Sequence, residues 1–184
     1  MSWKNQLKQL ESKKEWDAAI QYMQNIIVES PSCLDAYLSI CYLLMNLLVE
    51  EDYDRIKHDY YVALTKKYFD ESYAKFHENP KYLFYIATIA FMSEWYFDID
   101  VEDAKHMLFK AIALEPDNLL YQSSYYLYLD KKNINNIKPL LDYARKVLDP
   151  ESPIKTLLEN KGSLGAYLLE IITGWNKSII LELT

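Results

Sequence analysis

At 184 residues, with 51% hydrophobic and 26% charged positions, the chain is long enough to bury a core and has an ordinary globular balance. Its net charge of −7 argues against direct nucleic-acid binding, which needs a basic stripe to meet phosphate, and leaves room for a basic protein partner. The three glycines, Gly162, Gly165 and Gly174, all lie close to the C-terminus, so the rest has little access to the left-handed turns of hairpin sheets, and a helical chain is expected.

The opening, "MSWKNQLKQL", lacks an apolar signal core, which predicts a cytoplasmic protein. Trp3 begins the first helical segment, and Ala19, Met23 and Ile26 mark a second that closes before Pro31. Residues 32–48 carry Tyr37, Ile40, Cys41 and Leu44 at helical spacing. The apolar runs "ICYLLMNLLV" (40–49) and "YLFYIATIAFM" (82–92) are too short to span a bilayer. Cys33 and Cys41 lie two turns apart on one helix, roughly 12 Å, which is beyond disulfide reach. Both read as small core residues.

A long helical pattern follows over 53–78, with Tyr53, Ile56, Tyr60, Leu64, Tyr68 and Phe76 as its apolar positions. Residues 81–116 offer Ile86, Ile89, Ala90 and Ser93, then Ala104, Leu108, Ala111 and Pro116. "LLYQSSYYLYL" opens a fourth, poorly patterned segment. In the C-terminal segment 151–184, Ser152 and Pro153 read as a helix start. Beyond Gly162 the chain suits a capping helix and a short helix, or a hairpin about "GWNK", since β-branched runs flank it. Helix is the favoured reading.

Four prolines (Pro31, Pro80, Pro116 and Pro150) close apolar-periodic segments, and the interval between them shortens along the chain. Small residues at Ala104 and Ala111 let two helices approach, Leu108 fills the groove beside them, and Pro116 turns the chain onward. This small–bulky–small–proline order, with a proline interval that settles at about 34 residues, resembles the second helix of the tetratricopeptide repeat. The resemblance covers roughly positions 1–150. It lacks the glycine of the family motif, and its 53–78 segment is about four turns too long. It implies an all-α, right-handed stack of about four antiparallel helical hairpins forming a single domain. The units would be 1–31, 32–80, 81–116 and 117–150, with 151–184 as a C-terminal cap.

Little in the chain suggests catalysis. His58 follows Asp54 by one turn and His106 follows Glu102 and Asp103, spacings that suit surface ion pairs better than metal sites. His77 sits near a helix end, where a cation suits the dipole. No HExxH, glycine-rich phosphate loop or nucleophile elbow occurs. No metal or other cofactor is expected, and an enzyme would need a site assembled from distant residues.

Two features suit binding. "VEEDYD" (49–54) and "SEWYFDIDVEDA" (93–104) hold Glu50, Glu51, Asp52, Asp54, Glu94, Asp98, Asp100, Glu102 and Asp103, with no Lys or Arg and with Trp95 among them. Both fall between the first and second helix of a hairpin, so stacking would set them on one edge. The competing reading is a solvated face with acidic helix caps, although capping explains only one or two acids per helix. The second feature is a basic-poor concave face with Leu38, Tyr42, Met45, Phe84 and Phe91, either an apolar peptide groove or plain core. Residues 32–48 and 82–97 contain no Lys or Arg, whereas some members of the resembled family grip acidic chaperone tails with Lys, Asn and Arg on that face. The favoured function is a non-catalytic inhibitor, such as an immunity protein that neutralises a basic toxin, a nuclease for instance, through the acidic edge. The alternative is a scaffold or regulatory adaptor that takes a peptide in the groove.

Overall fold

The computed structural model describes the backbone of residues 2–129 and 134–182 and the side chains of residues 2–124 and 141–174. Among these residues every regular element is helical. The chain divides into two compact units, Met1–Leu114 and Glu115–Thr184.

The first unit contains α1 (Trp3–Ser12), α2 (Trp16–Glu29), α3 (Leu34–Glu50), α4 (His58–Phe76), α5 (Pro80–Ala90) and α6 (Val101–Leu114). Short 3-10 turns, Arg55–Lys57 and Glu94–Phe97, lead into α4 and α6. Consecutive helices pack in pairs: α1 on α2, α3 on α4, α5 on α6. Helix α3 also packs on α2 and α5, and its apolar run explains why. Residues 36–45, 47 and 48 are all buried, as are residues 82–90 of α5, so these helices without a polar face form the core. Asp35 ties the unit at one end, taking Lys4 at 2.8 Å and Lys81 at 2.6 Å. Ala104 and Ala111, read as close-contact positions, have no exposed surface at all, and neither has Ala19.

Helix boundaries follow local chemistry. Asn79 accepts from the Tyr82 amide at 3.1 Å and Pro80 takes the first turn of α5. At the end of α1, Lys14 adopts a left-handed φ of 57°, so that the Glu15 amide reaches the Leu10 carbonyl and the Lys14 amide reaches Glu11. This is a Schellman closure built without glycine. Scarcity of glycine therefore does not remove left-handed turns from this chain; lysine and, at Asp98, aspartate supply them.

The helix read over 53–78 starts later than its pattern suggests. The Asp54 carboxylate accepts from the Ile56 amide at 3.1 Å, which sets a 3-10 turn first, and α4 begins at His58. The inward face is consequently Tyr61, Leu64, Thr65, Tyr68, Phe69 and Ser72, whereas Ile56 and Tyr60 face solvent.

The second unit contains α7 (Leu119–Leu129), α8 (Ile134–Leu148), α9 (Pro153–Glu159) and α10 (Ser163–Glu182). Helix α8 packs on α7, α9 and α10. Pro153 starts α9 as expected, though Ser152 makes no side-chain cap bond. Helix α10 runs unbroken through Gly174, so the helical alternative for the C-terminal segment holds and the "GWNK" turn does not form. Gly162 turns the chain at φ 71°, and a Cβ on Gly165 would lie 1.8 Å from the Leu158 carbonyl oxygen, so α9 and α10 meet backbone to backbone there.

Candidate functional site

The two acidic stretches occupy the expected places, one after α3 and one between α5 and α6. Side chains from α4 bring them together. The Tyr53 hydroxyl lies 2.7 Å from His58 Nδ1, with the two rings stacked at 9° and 6.2 Å apart. His58 also meets Tyr96 edge-on at 6.2 Å. A continuous line of rings, Tyr53–His58–Tyr96, therefore joins the 49–54 stretch to the 93–104 stretch, and Trp95 extends it outward. The sequence pairs His58 with Asp54; in the fold Asp54 serves as a cap and Tyr53 is the partner.

The carboxylates have very different surroundings. Glu51 pairs with Lys14 at 2.8 Å, Asp98 with Lys66 at 2.7 Å and Glu102 with Lys105 at 2.5 Å. Asp100 and Asp103 form a reciprocal capping box at the start of α6: Asp100 accepts from the Asp103 amide at 2.9 Å, and Asp103 from the Asp100 amide at 3.1 Å. With Asp54 capping its own turn, the acids with neither an ion pair nor a cap bond among the described residues are Glu50, Asp52 and Glu94. Capping and pairing thus take up more of the acidic edge than the sequence suggests.

The pairs leave an electrostatic signature. The hydrogen bond from Lys66 holds the Asp98 carboxyl below the usual carboxylate range and holds Lys66 above the usual ammonium range. Lys14 is raised in the same way by its hydrogen bond to Glu51. Beside them, a cleft of about 260 Å³ between the start of α2 and the Tyr53–Lys57 segment holds Asp17, bonded to both Lys57 and the Tyr61 hydroxyl. Those two bonds lower the Asp17 carboxyl, Lys57 contributing most.

Neighbouring aromatics of the second stretch differ as sharply. Phe97 is buried and stacks on Phe69 at 4.6 Å, whereas Trp95 is 64% exposed. An indole left in solvent beside the unpaired Glu94 has the form of an interface anchor. Of the groove residues, Leu38, Tyr42, Met45 and Phe84 are buried and Phe91 is half-buried. The first four lie in the core of α3 and α5, so among the described residues they line no open peptide groove, and Phe91 follows the end of α5.

Sequence reading missed His58, Lys14 and Lys66 as organisers of the edge. Tyr53 is a local partner of His58, but Tyr96, Glu51 and Asp98 come from distant parts of the chain, so no helical spacing could reveal those links. Among the described residues no group of three His, Cys, Asp or Glu side chains could hold a metal ion, and no helix is long and apolar enough to cross a membrane. Cys33 and Cys41 are free, and burial pushes the Cys41 thiol up to about 12. No protein-family model, curated protein or solved structure matches the chain.

Proposed function

We propose that the chain is a non-catalytic binding module that recognises a basic protein through the joined acidic stretches, with Trp95 as its aromatic anchor. The observation that supports this reading is the Tyr53–His58–Tyr96 line of ring contacts, which links the stretch that holds the unpaired Glu50 and Asp52 to the stretch that holds Glu94 and Trp95. Carboxylates around an exposed indole suit Lys and Arg side chains, which pair with the acids and rest on the ring. Within this class we favour an inhibitor of the immunity-protein kind, whose carboxylates occupy the cleft where a basic toxin would hold its anionic substrate. A nuclease is the natural target, since its cleft is already basic for phosphate. We also read the paired helices of the first unit as a degenerate tetratricopeptide-like stack, on the strength of Ala104, Leu108 and Ala111 facing inward together.

The test is recovery of the partner from the native source by pull-down and mass spectrometry, followed by association kinetics against ionic strength. A basic partner whose on-rate falls steeply with salt, and whose binding weakens at least about tenfold with Trp95→Ala, supports the reading. A partner that binds independently of salt and of Trp95 removes the edge from the mechanism.

A further inference from the structure

A second cleft, of about 400 Å³, opens among α4, α5, α6 and Ile99. Its floor is apolar: Phe69 and Tyr73 from α4, Leu83 from α5, and Ile99 and Met107. Phe69 and Tyr73 stack at 5.7 Å and 30°, and the buried Phe97 stacks behind Phe69, so one wall is a slab of three rings. Such a volume lies within the usual range for a pocket that takes a ligand, and stacked rings with a thioether opposite suit an aromatic guest. Helix α6 supplies the rim, because Asp103, His106 and Lys110 recur at helical spacing along one stripe.

Charge at that rim is uneven. Lys110 is taken by Glu78 at 2.5 Å, Lys66 by Asp98 and Lys105 by Glu102, so the nearby cations are neutralised. On the same stripe Asp103, and Asp100 bonded to it at the start of α6, have no counter-cation among the described residues. Each spends one oxygen on its capping bond, and Asp100 Oδ2 and Asp103 Oδ1 accept no protein hydrogen bond among the described residues. The cleft therefore joins an apolar floor to a rim on which Asp103 is the carboxylate without a counter-cation.

We propose that this cleft receives an aromatic side chain of the basic partner, with an adjacent Lys or Arg of the same segment pairing with Asp103 at the rim. This rests on the basic-partner reading and adds to it a second anchor, distinct from Trp95. The guest ring lies against Phe69 and Tyr73, and its cationic neighbour reaches the free Asp103 carboxylate oxygen at the rim. A cation placed there offsets two like charges that the fold holds together at the helix start.

The test uses the full chain and three capped tripeptides, Lys-Trp-Lys, Lys-Ala-Lys and Glu-Trp-Glu, monitored by NMR of the Ile99 and Met107 methyl groups. Lys-Trp-Lys should shift both resonances saturably, and Lys-Ala-Lys should not. Asp103→Asn keeps a cap acceptor while removing charge, and should weaken Lys-Trp-Lys by about two- to fivefold. Ile99→Trp, at a half-buried position of the floor, should fill the cleft and abolish the shift at Met107. Shifts confined to the Glu94–Trp95 surface would overturn the cleft and leave the acidic edge standing. Equal binding of Glu-Trp-Glu would overturn the cationic half of the proposal, while the acidic edge stands or falls by its own salt dependence. Absence of any shift at Ile99 and Met107 would overturn the proposal outright.

Discussion

The 49–54 and 93–104 stretches are alike in composition and differ in what the fold makes of them. The first runs from the last residues of α3 into a loop: Glu51 holds Lys14, Asp54 caps a single 3-10 turn, and Glu50 and Asp52 are left to solvent. The second is built into its surroundings, with Phe97 in the core, Asp98 left-handed at φ 60° and bonded to Lys66, and a capping box starting α6. The difference teaches that a count of carboxylates measures neither available charge nor expendable charge. Acids that begin a helix of several turns are structural before they are functional.

The strongest way to break this comparison lies within the second stretch. Phe97→Ala removes a ring with 1% exposure and should cost about 3–5 kcal/mol. Trp95→Ala, close by in the same turn, should change stability by less than about 0.5 kcal/mol. A urea titration of both variants decides it; similar midpoints would mean that the stretch is not anchored as described.

Next in size is charge reversal. Asp98, Asp100 and Asp103 together changed to Lys remove the Lys66 partner and the whole capping box, and they put cations at a helix N-terminus. Losing the cap costs about 1 kcal/mol and the reversed dipole interactions at Asp100 and Asp103 add about 0.3–1 kcal/mol each, so these two positions alone should cost about 2–3 kcal/mol. Reversing Glu50 and Asp52 in the first stretch should leave the denaturation midpoint almost unchanged. Any loss of partner binding in the triple variant must therefore be weighed against its folded fraction, whereas the double variant tests charge alone.

These contrasts also show what the sequence holds. Helices α3 and α5 are legible as core because they lack a polar face, and Ala104, Leu108 and Ala111 are legible because proline fixes the end of α6 and period fixes its phase. The phase of α4 is not legible in the same way. Tyr60 and Tyr61 are equally apolar by pattern, and the Asp54 cap with its 3-10 turn decides which of them faces inward. Lys14–Glu51 and Lys66–Asp98 join residues 37 and 32 positions apart, so only the packed helices reveal them. The acidic edge is visible as composition, and its internal compensation is not.

A smaller effect sharpens the role of the capping box. Asp100→Ala should lower stability by about 1 kcal/mol, since two amides at the start of α6 then lose their reciprocal arrangement. Asp54→Ala should cost less, because the short turn that it caps buries no side chain. Hydrogen exchange at the Asp103 amide should rise in the first variant. Unchanged protection there would show that the box does not hold the helix end.

The smallest effect is the dependence on pH, and it separates the two stretches by sign. The Asp98 carboxyl is held low by Lys66, so its contribution to stability is present above the ordinary aspartate value of about 3.9 and is lost as pH falls through the lower folded value. Lys14 is held high by Glu51, so its contribution is present below the ordinary lysine value of about 10.4 and is lost as pH rises through the higher folded value. Both groups are exposed and screened by salt, so each variant should move the denaturation midpoint only slightly. The sharper measurement is site-resolved titration by NMR. Lys66→Met should return the Asp98 carboxyl toward its ordinary range, and Lys14→Met should leave Asp98 where it was. If Asp98 titrates identically in the Lys66→Met protein, the Lys66 bond does not set its charge. The carboxylate would then be as free as Glu94, and the second stretch would carry more available charge than its hydrogen bonds imply.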